Sequence, residues 1–184
     1  MESIRKSRKV AIVSQYYAPD LSSTASIITT VAKHLARTAE VLVLSGTSGA
    51  PPHPVQDAHQ PIVVEIKNSI PEKTALRKRA LFEMIFAIRT FIVLLRRLRR
   101  GDVVLTVTAP FVLPYAVTAA ARLRGARSIL VLHDLYPDVL VMAGLLRPTS
   151  IVAKAMRAAN TWMFSALNTI VIIGRDMELS LIHI

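Results

Sequence analysis

The chain has 184 residues, with 23 Lys and Arg against 12 Asp and Glu for a formal charge of +11, five His and no Cys. Apolar residues make up 52% and charged residues 19%, enough apolar surface for the core of one ordinary domain and too much for a disordered chain. Without cysteine there is neither a disulfide framework nor a thiolate metal site, which fits a reducing compartment; the apolar run Val10 to Val13 behind the basic first nine residues is also shorter than the core of about 7 to 15 residues that a signal peptide needs.

The first strand is expected at Val10–Ser14. Behind it lies the loop Gln15-Tyr16-Tyr17-Ala18-Pro19-Asp20-Leu21-Ser22-Ser23-Thr24. Ser22, Ser23 and Thr24 can cap a helix over 23–37, whose free N–H groups would attract phosphate; capping alone is the other reading. The loop holds no glycine, so the dinucleotide fingerprint and the P-loop are both absent. A strand at Glu40–Ser45 is followed by a Pro-rich stretch that cannot be regular structure, then a strand at Ile62–Ile66.

A long helix is expected over 75–100, stopped by Gly101. Residues 77–100 carry Arg77, Lys78, Arg79, Arg89, Arg96, Arg97, Arg99 and Arg100 against Glu83 alone, a net of +7. Leu81, Ile85, Ile88, Ile92 and Leu95 fall on one continuous face, and Phe82, Met84, Phe86, Phe91, Val93 and Leu94 widen it. From Leu81 to Leu95 such a helix measures roughly 22 Å, short of a bilayer core of about 30 Å, and it contains Glu83 and Arg89. It does not span. A chain this basic first points to nucleic acid, but these arginines alternate with Leu, Ile, Phe and Met, and aromatics are only 5% of the sequence. The expected partner is therefore an anionic membrane surface and not nucleic acid, with Arg77, Lys78, Arg79, Arg96, Arg97, Arg99 and Arg100 on the headgroups. A wholly buried crossover helix with solvated arginines is the alternative.

The fourth strand is expected at Asp102–Val107, followed by Thr108-Ala109-Pro110-Phe111-Val112-Leu113-Pro114, a stiff loop that either lines a cleft or simply turns into a helix over 112–124. Gly125 ends that helix before a strand at Ser128–Leu132. Next comes His133-Asp134-Leu135-Tyr136-Pro137-Asp138. In an open α/β sheet, ligands collect outside the carboxyl ends of the strands, so His133 beside Asp134 is the candidate catalytic pair: an imidazole there can take a proton or hold a hydroxyl. Asp138 either joins the site or caps the next turn, and Tyr136 is either a ligand contact or core. A helix over 149–167 and a strand at Thr169–Ile173 complete the pattern, and a further helix begins near Arg175. His34, His53 and His59 have no metal-ligand spacing, so no metal is expected. The strands are apolar on both faces, and strand and helix alternate except between the second and third strands. That predicts an α/β fold with a doubly wound parallel sheet and right-handed crossovers.

With these residues in place, the chain resembles the N-terminal domain of a family 4 glycosyltransferase of the GT-B fold. It is similar in particular to the WbuB-like bacterial branch that builds O-antigen, capsule or exopolysaccharide. The resemblance is carried by Ser14-Gln15-Tyr16-Tyr17-Ala18-Pro19-Asp20, by Gly101-Asp102-Val103-Val104 with Thr108-Ala109-Pro110, and most specifically by His133 to Asp138 followed by Gly144-Leu145-Leu146. It covers roughly residues 8 to 178. It implies a Rossmann-like acceptor-side domain, a metal-independent retaining transferase without a cofactor, a nucleotide-sugar donor, and a lipid-linked saccharide acceptor. The expected setting is the cytoplasmic face of the cell membrane. His133 with Asp134 would stand at the reacting sugar, and Asp20, Ser22, Ser23, Thr24, Tyr136 and Asp138 would contact substrate. Many relatives carry glycines in the first loop, and this sequence does not. The chain is expected to be a single domain truncated before its C-terminal partner, and inactive alone. Two rival readings are a non-catalytic membrane-anchoring subunit and a sugar-nucleotide epimerase.

Overall fold

The computed structural model describes residues 9–46, 59–68 and 76–172. The expected helix near Arg175 and the Pro-rich stretch from Ala50 lie outside these, apart from its last residues, as does Ile173 at the end of the sixth expected strand. The strands are β1 (Lys9–Ser14), β2 (Glu40–Gly46), β3 (Ile62–Ile66), β4 (Val103–Val107), β5 (Arg127–Leu132) and β6 (Thr169–Ile172), and the helices are α1 (Ser23–Leu35), α2 (Leu76–Arg97), α3 (Leu113–Arg124), α4 (Asp138–Met142) and α5 (Ile151–Ala166). All strand pairs are parallel, in the order β3-β2-β1-β4-β5-β6. This is the Rossmann-like doubly wound sheet that the alternation predicts, with its direction of winding reversing between β1 and β4.

Alternate residues of the central strands feed two apolar layers. Ile12, Val41 and Val43 face one side, where they pack with Ile28, Ala32 and Ala36 of the α1 segment. Ala11, Val13, Leu42, Leu44 and Val104 face the other side, against Phe86 and Leu94 of α2 and Leu113, Val117 and Ala121 of α3. Leu130 and Leu132 of β5 pack with Met163 of α5. Right-handed crossovers produce this division, because a chain winding left from β1 and right from β4 must place its helices on opposite faces.

The boundaries differ from expectation where side chains capture backbone groups. The fourth strand starts at Val103 and not at Asp102, because the buried Asp102 accepts from Arg99 N–H at 2.8 Å and from Lys9 N–H at 3.2 Å. The same contacts end α2 at Arg97, three residues short of Arg100. α1 stops at Leu35 because the following N–H groups shift to shorter-range carbonyls, as in Arg37 N–H to His34 O. α5 begins after Ser150, whose hydroxyl accepts from Ala153 N–H at 3.1 Å. The five-residue α4 falls in a stretch to which the sequence reading assigned no element; it is too short for an apolar period to show. Gly125 caps α3 at φ 64°, a left-handed conformation that glycine adopts without strain.

The helix α2 settles how its apolar residues divide. Glu83, Phe86, Ala87, Thr90 and Leu94 are buried against the rest of the fold. Leu81 at 59% and Ile88 at 52% exposure, with Met84 and Ile92, stay on the outside. Most of the stripe expected from the sequence is thus the outward one. Because α2 leads from the carboxyl end of β3 to the amino end of β4, its first turns lie at the carboxyl edge of the sheet. Arg96, Arg97, Arg99 and Arg100 lie at the opposite edge, about 30 Å away along a helix rising about 1.5 Å per residue.

Candidate active site

Four segments lie at the carboxyl edge of the sheet: the loops after β1, β4 and β5, and the start of α2. The β1 loop is fixed from within. Ser14 Oγ donates to Tyr16 O at 2.8 Å, and Ala18 N–H donates to Thr29 Oγ1 at 3.1 Å. Asp20 Oδ1 accepts from Ser22 N–H at 2.7 Å, while Ser22 Oγ accepts from Ala25 N–H at 3.3 Å and caps α1. Capping was one of the two sequence readings of Ser22, and it is the role the structure shows. Ser23 is exposed and Thr24 is half-buried in the first turn of α1. Gly46, closing β2, lets the neighbouring chain come close: a Cβ there would sit 2.8 Å from Gln15 O, so any side chain would push the loop.

The β5 loop is held from both sides by residues far away in sequence. The hydroxyl oxygen of buried Thr108 accepts from His133 N–H at 3.1 Å and Asp134 N–H at 3.2 Å. From α5, buried Asn160 donates through Nδ2 to Tyr136 O and accepts from Tyr115 Oη at 2.5 Å. Arg157 donates to Asp138 Oδ1 at 3.2 Å, so Asp138 is tied to α5. Phe111 lies against Tyr136 with ring centroids 5.5 Å apart, in range for a tilted aromatic pair.

Within this frame His133 is half-buried and Asp134 exposed. The Nε2 atom of His133 is buried and has no hydrogen-bond partner among the described residues. A buried polar atom left without a partner costs on the order of 1–3 kcal/mol, so a native fold keeps one for a reason.

The sequence reading did not single out Thr108, Asn160 or Glu83 as site residues. Thr108 and Asn160 act at long range and leave no local pattern. Glu83, only 8% exposed, is the lone acid of the basic segment, which was the available signal. Arg79, one of the cations expected on lipid headgroups, pairs with Glu83 through Nε at 2.9 Å. The hydrogen bond to Glu83 strengthens the proton's hold on the Arg79 guanidinium. Of the other cations in the expected membrane set, Lys78, Arg96, Arg97, Arg99 and Arg100 are exposed; the side chain of Arg77 lies outside the described residues.

Burial raises the pKa of the Tyr16 phenol; Arg79 opposes the rise, while Glu83 and Asp20 add to it. The Tyr136 phenol is raised by burial first, then by Asp134 and Glu83, against Arg79. Tyr17 and Tyr115 are raised by burial alone. All four phenols therefore remain neutral donors at physiological pH. Their contribution to stability is complete below the ordinary phenol value of 10.0 and is lost as pH rises beyond it, because the unfolded chain ionises first. Thermal melts stepped upward in pH should hold a constant midpoint up to about pH 9 and fall above about pH 10.

Asn160→Ala would strand the Tyr136 carbonyl and the Tyr115 hydroxyl together. The expected cost is about 2 to 3 kcal/mol by urea unfolding; a loss under about 0.5 kcal/mol, the scale of an ordinary surface change, would show that α5 does not hold this loop.

No protein-family model matches the chain. Over 106 residues it is 36% identical to "Probable glycosyltransferase WbjE" from Pseudomonas aeruginosa, a match covering 58% of this chain. The same match covers 26% of that relative, so the chain spans about a quarter of the length of the curated protein it matches. Over more than half of its length, then, this Rossmann-like chain is similar to a glycosyltransferase.

Proposed function

We propose that this chain is the acceptor-side lobe of a family 4-like, retaining GT-B glycosyltransferase of the WbuB-like kind, peripheral on the cytoplasmic face of the cell membrane. The observation that carries the reading is His133: its Nε2, without a hydrogen-bond partner among the described residues, is buried at the carboxyl edge of the sheet, on a loop pinned by Thr108 and Asn160. The similarity to a glycosyltransferase supports the class of chemistry.

The transfer forms a bond between an acceptor hydroxyl oxygen and the anomeric carbon of the donor sugar. The bond from that carbon to the nucleoside diphosphate breaks with its electron pair leaving on the phosphate oxygen, and that departing diphosphate takes up the hydroxyl proton. His133 Nε2 holds a hydroxyl of the reacting sugar, and Asp134 beside it polarises the same end of the cleft. Tyr136 contacts substrate as a neutral donor. Ser23 and Thr24 face it from the start of α1, whose free N–H groups favour phosphate, while Asp20, Ser22 and Asp138 hold the loops that present these groups. The acceptor is a lipid-linked saccharide in cell-surface polysaccharide assembly, and neither cofactor nor metal is needed. Charge stabilisation at the donor diphosphate comes from a second lobe, since both sides of a cleft must position the reactants.

The membrane side of the reading rests on α2. Among the described residues no helix is long and apolar enough to cross a membrane. Leu81, Met84, Ile88 and Ile92 lie exposed on α2, with Lys78 at one end and Arg96, Arg97, Arg99 and Arg100 at the other. Apolar side chains framed by cations match an anionic interface.

The test expresses the complete reading frame that carries this sequence and incubates it with labelled nucleotide sugars and membranes. Label entering the lipid-extractable fraction is the expected outcome. Interconversion of the free nucleotide sugar without transfer would instead identify an epimerase, and membrane binding without turnover a non-catalytic anchor.

A further inference from the structure

The amino edge of the sheet carries a charge that the candidate active site does not use. Arg96 and Arg97 close α2, and Arg99 and Arg100 follow in its connection to β4; all four are exposed. Exposed Arg122 and Arg124 close α3, and exposed Arg127 opens β5. Hydrogen bonds join these segments into one corner. Gly101 N–H donates to Gly125 O at 3.0 Å, Arg127 N–H donates to Asp102 O at 2.8 Å, and Arg124 Nε donates to Leu98 O at 3.0 Å. A Cβ at Gly125 would sit 3.2 Å from Arg100 Cγ, so the stem of Arg100 lies against the α3 cap.

No acid neutralises this corner. Its carboxylate, Asp102, is buried and spent on the backbone, with Oδ1 accepting from Lys9 N–H and Oδ2 from Arg99 N–H. Glu40, the other acid at this edge among the described residues, pairs with Lys9 at 2.7 Å. None of the seven guanidinium groups has a carboxylate partner among the described residues. The carbonyl ends of α2 and α3 attract cations, which explains part of the pattern, but that effect fades beyond the last turn and leaves Arg127 unexplained. Like charges gathered in one place repel each other, a cost that an anionic partner removes.

The side chains between the arginines decide which anion fits. Leu123, 69% exposed, stands between Arg122 and Arg124, and exposed Ile92 lies one turn before Arg96. Neither the stretch from Ile92 to Arg100 nor that from Arg122 to Arg127 holds an aromatic ring on which a base could stack. Aliphatic side chains set among cations suit the boundary of a bilayer, where the chains enter and the guanidinium groups meet phosphates. We propose that the arginines closing α2 and α3 and opening β5 form a single platform, with Leu123 among them, for the phosphate headgroups of an anionic bilayer. The proposal rests on the membrane-surface reading for its partner and extends it: Arg122, Arg124 and Arg127 act together with the end of α2. The platform lies on the edge opposite His133, so docking leaves the reacting edge uncovered.

The test is sedimentation of the complete protein with vesicles of equal parts phosphatidylglycerol and phosphatidylcholine, against pure phosphatidylcholine vesicles and duplex DNA at the same salt. Arg122→Gln combined with Arg127→Gln should weaken binding to the anionic vesicles about twenty-five-fold, at about five-fold for each cation near the surface. Both side chains are exposed, so the fold should tolerate the change, and an unaltered thermal midpoint checks it. Arg147→Gln combined with Lys154→Gln removes the same charge from exposed positions around the start of α5 and should alter affinity by less than about two-fold, since separated surface charges are screened. Anionic-vesicle binding that survives the loss of Arg122 and Arg127 overturns the platform and leaves the membrane reading on α2 alone. An equal loss in both double variants also overturns it, because net charge and not this corner would then set the affinity. A parent that binds neutral vesicles as well as anionic ones, or no vesicles at all, removes the headgroup contact. A parent that prefers duplex DNA assigns the arginines to nucleic acid instead.

Discussion

Replacing His133 by alanine in the full-length protein should lower turnover by at least about a hundred-fold, the lower end of what a positioned proton-transfer or hydroxyl-holding group contributes. The structure explains why folding should tolerate it. The loop is anchored through the backbone N–H groups of His133 and Asp134 on Thr108 and through Tyr136 O on Asn160, so removing the imidazole leaves every one of these bonds in place. It also removes a buried nitrogen that has no partner among the described residues, which relieves a cost. Turnover and stability should therefore separate: kcat collapses while the unfolding midpoint stays within a few degrees of the parent. Equal turnover in the alanine variant would take His133 out of the site. A large parallel loss of stability would mean that the imidazole is packing material.

The second large effect concerns the lipid surface. Arg96, Arg97, Arg99 and Arg100 are all exposed, and they follow the outward stripe of Leu81, Met84, Ile88 and Ile92. Each cation near an anionic leaflet contributes about 1 kcal/mol, so changing all four to Gln should cost about 4 kcal/mol, close to a thousand-fold in vesicle affinity. Sedimentation with vesicles rich in phosphatidylserine measures it. The parent should also lose affinity as salt rises, because the Debye length shrinks from about 10 Å at 0.1 M to about 3 Å at 1 M. Vesicle binding that ignores both the substitutions and the salt would discard the headgroup argument.

How far the sequence carried this picture depends on the range of the forces involved. The central parallel strands were legible almost to the residue, because burial on both faces demands unbroken apolar runs such as Val41 to Leu44. Gly125 was legible as a cap because its conformation is a local matter. The face that α2 turns inward was not legible: the helix is apolar nearly all round between Leu81 and Leu95, so periodicity has no preferred side, and packing of Phe86 and Leu94 against the sheet chose it. The candidate site was half legible. His133 and Asp134 follow from their place after a strand. Arg79 and Glu83 belong to the same edge only because α2 runs antiparallel to the strands, and Asn160 reaches Tyr136 across 24 positions of sequence. Neither relation exists in a local window. Charge counting alone did not show that Arg79 pairs with the buried Glu83 one turn along α2.

The central claim is that a sugar reacts at the carboxyl edge of this sheet, beside His133. A crystal structure of the complete protein with nucleoside diphosphate and a saccharide acceptor tests it most directly. His133 Nε2 should lie about 2.6 to 3.2 Å from a sugar hydroxyl, with the nucleotide held mainly by a second lobe. An imidazole remote from the sugar, or a nucleotide bound within this lobe alone, would contradict the account.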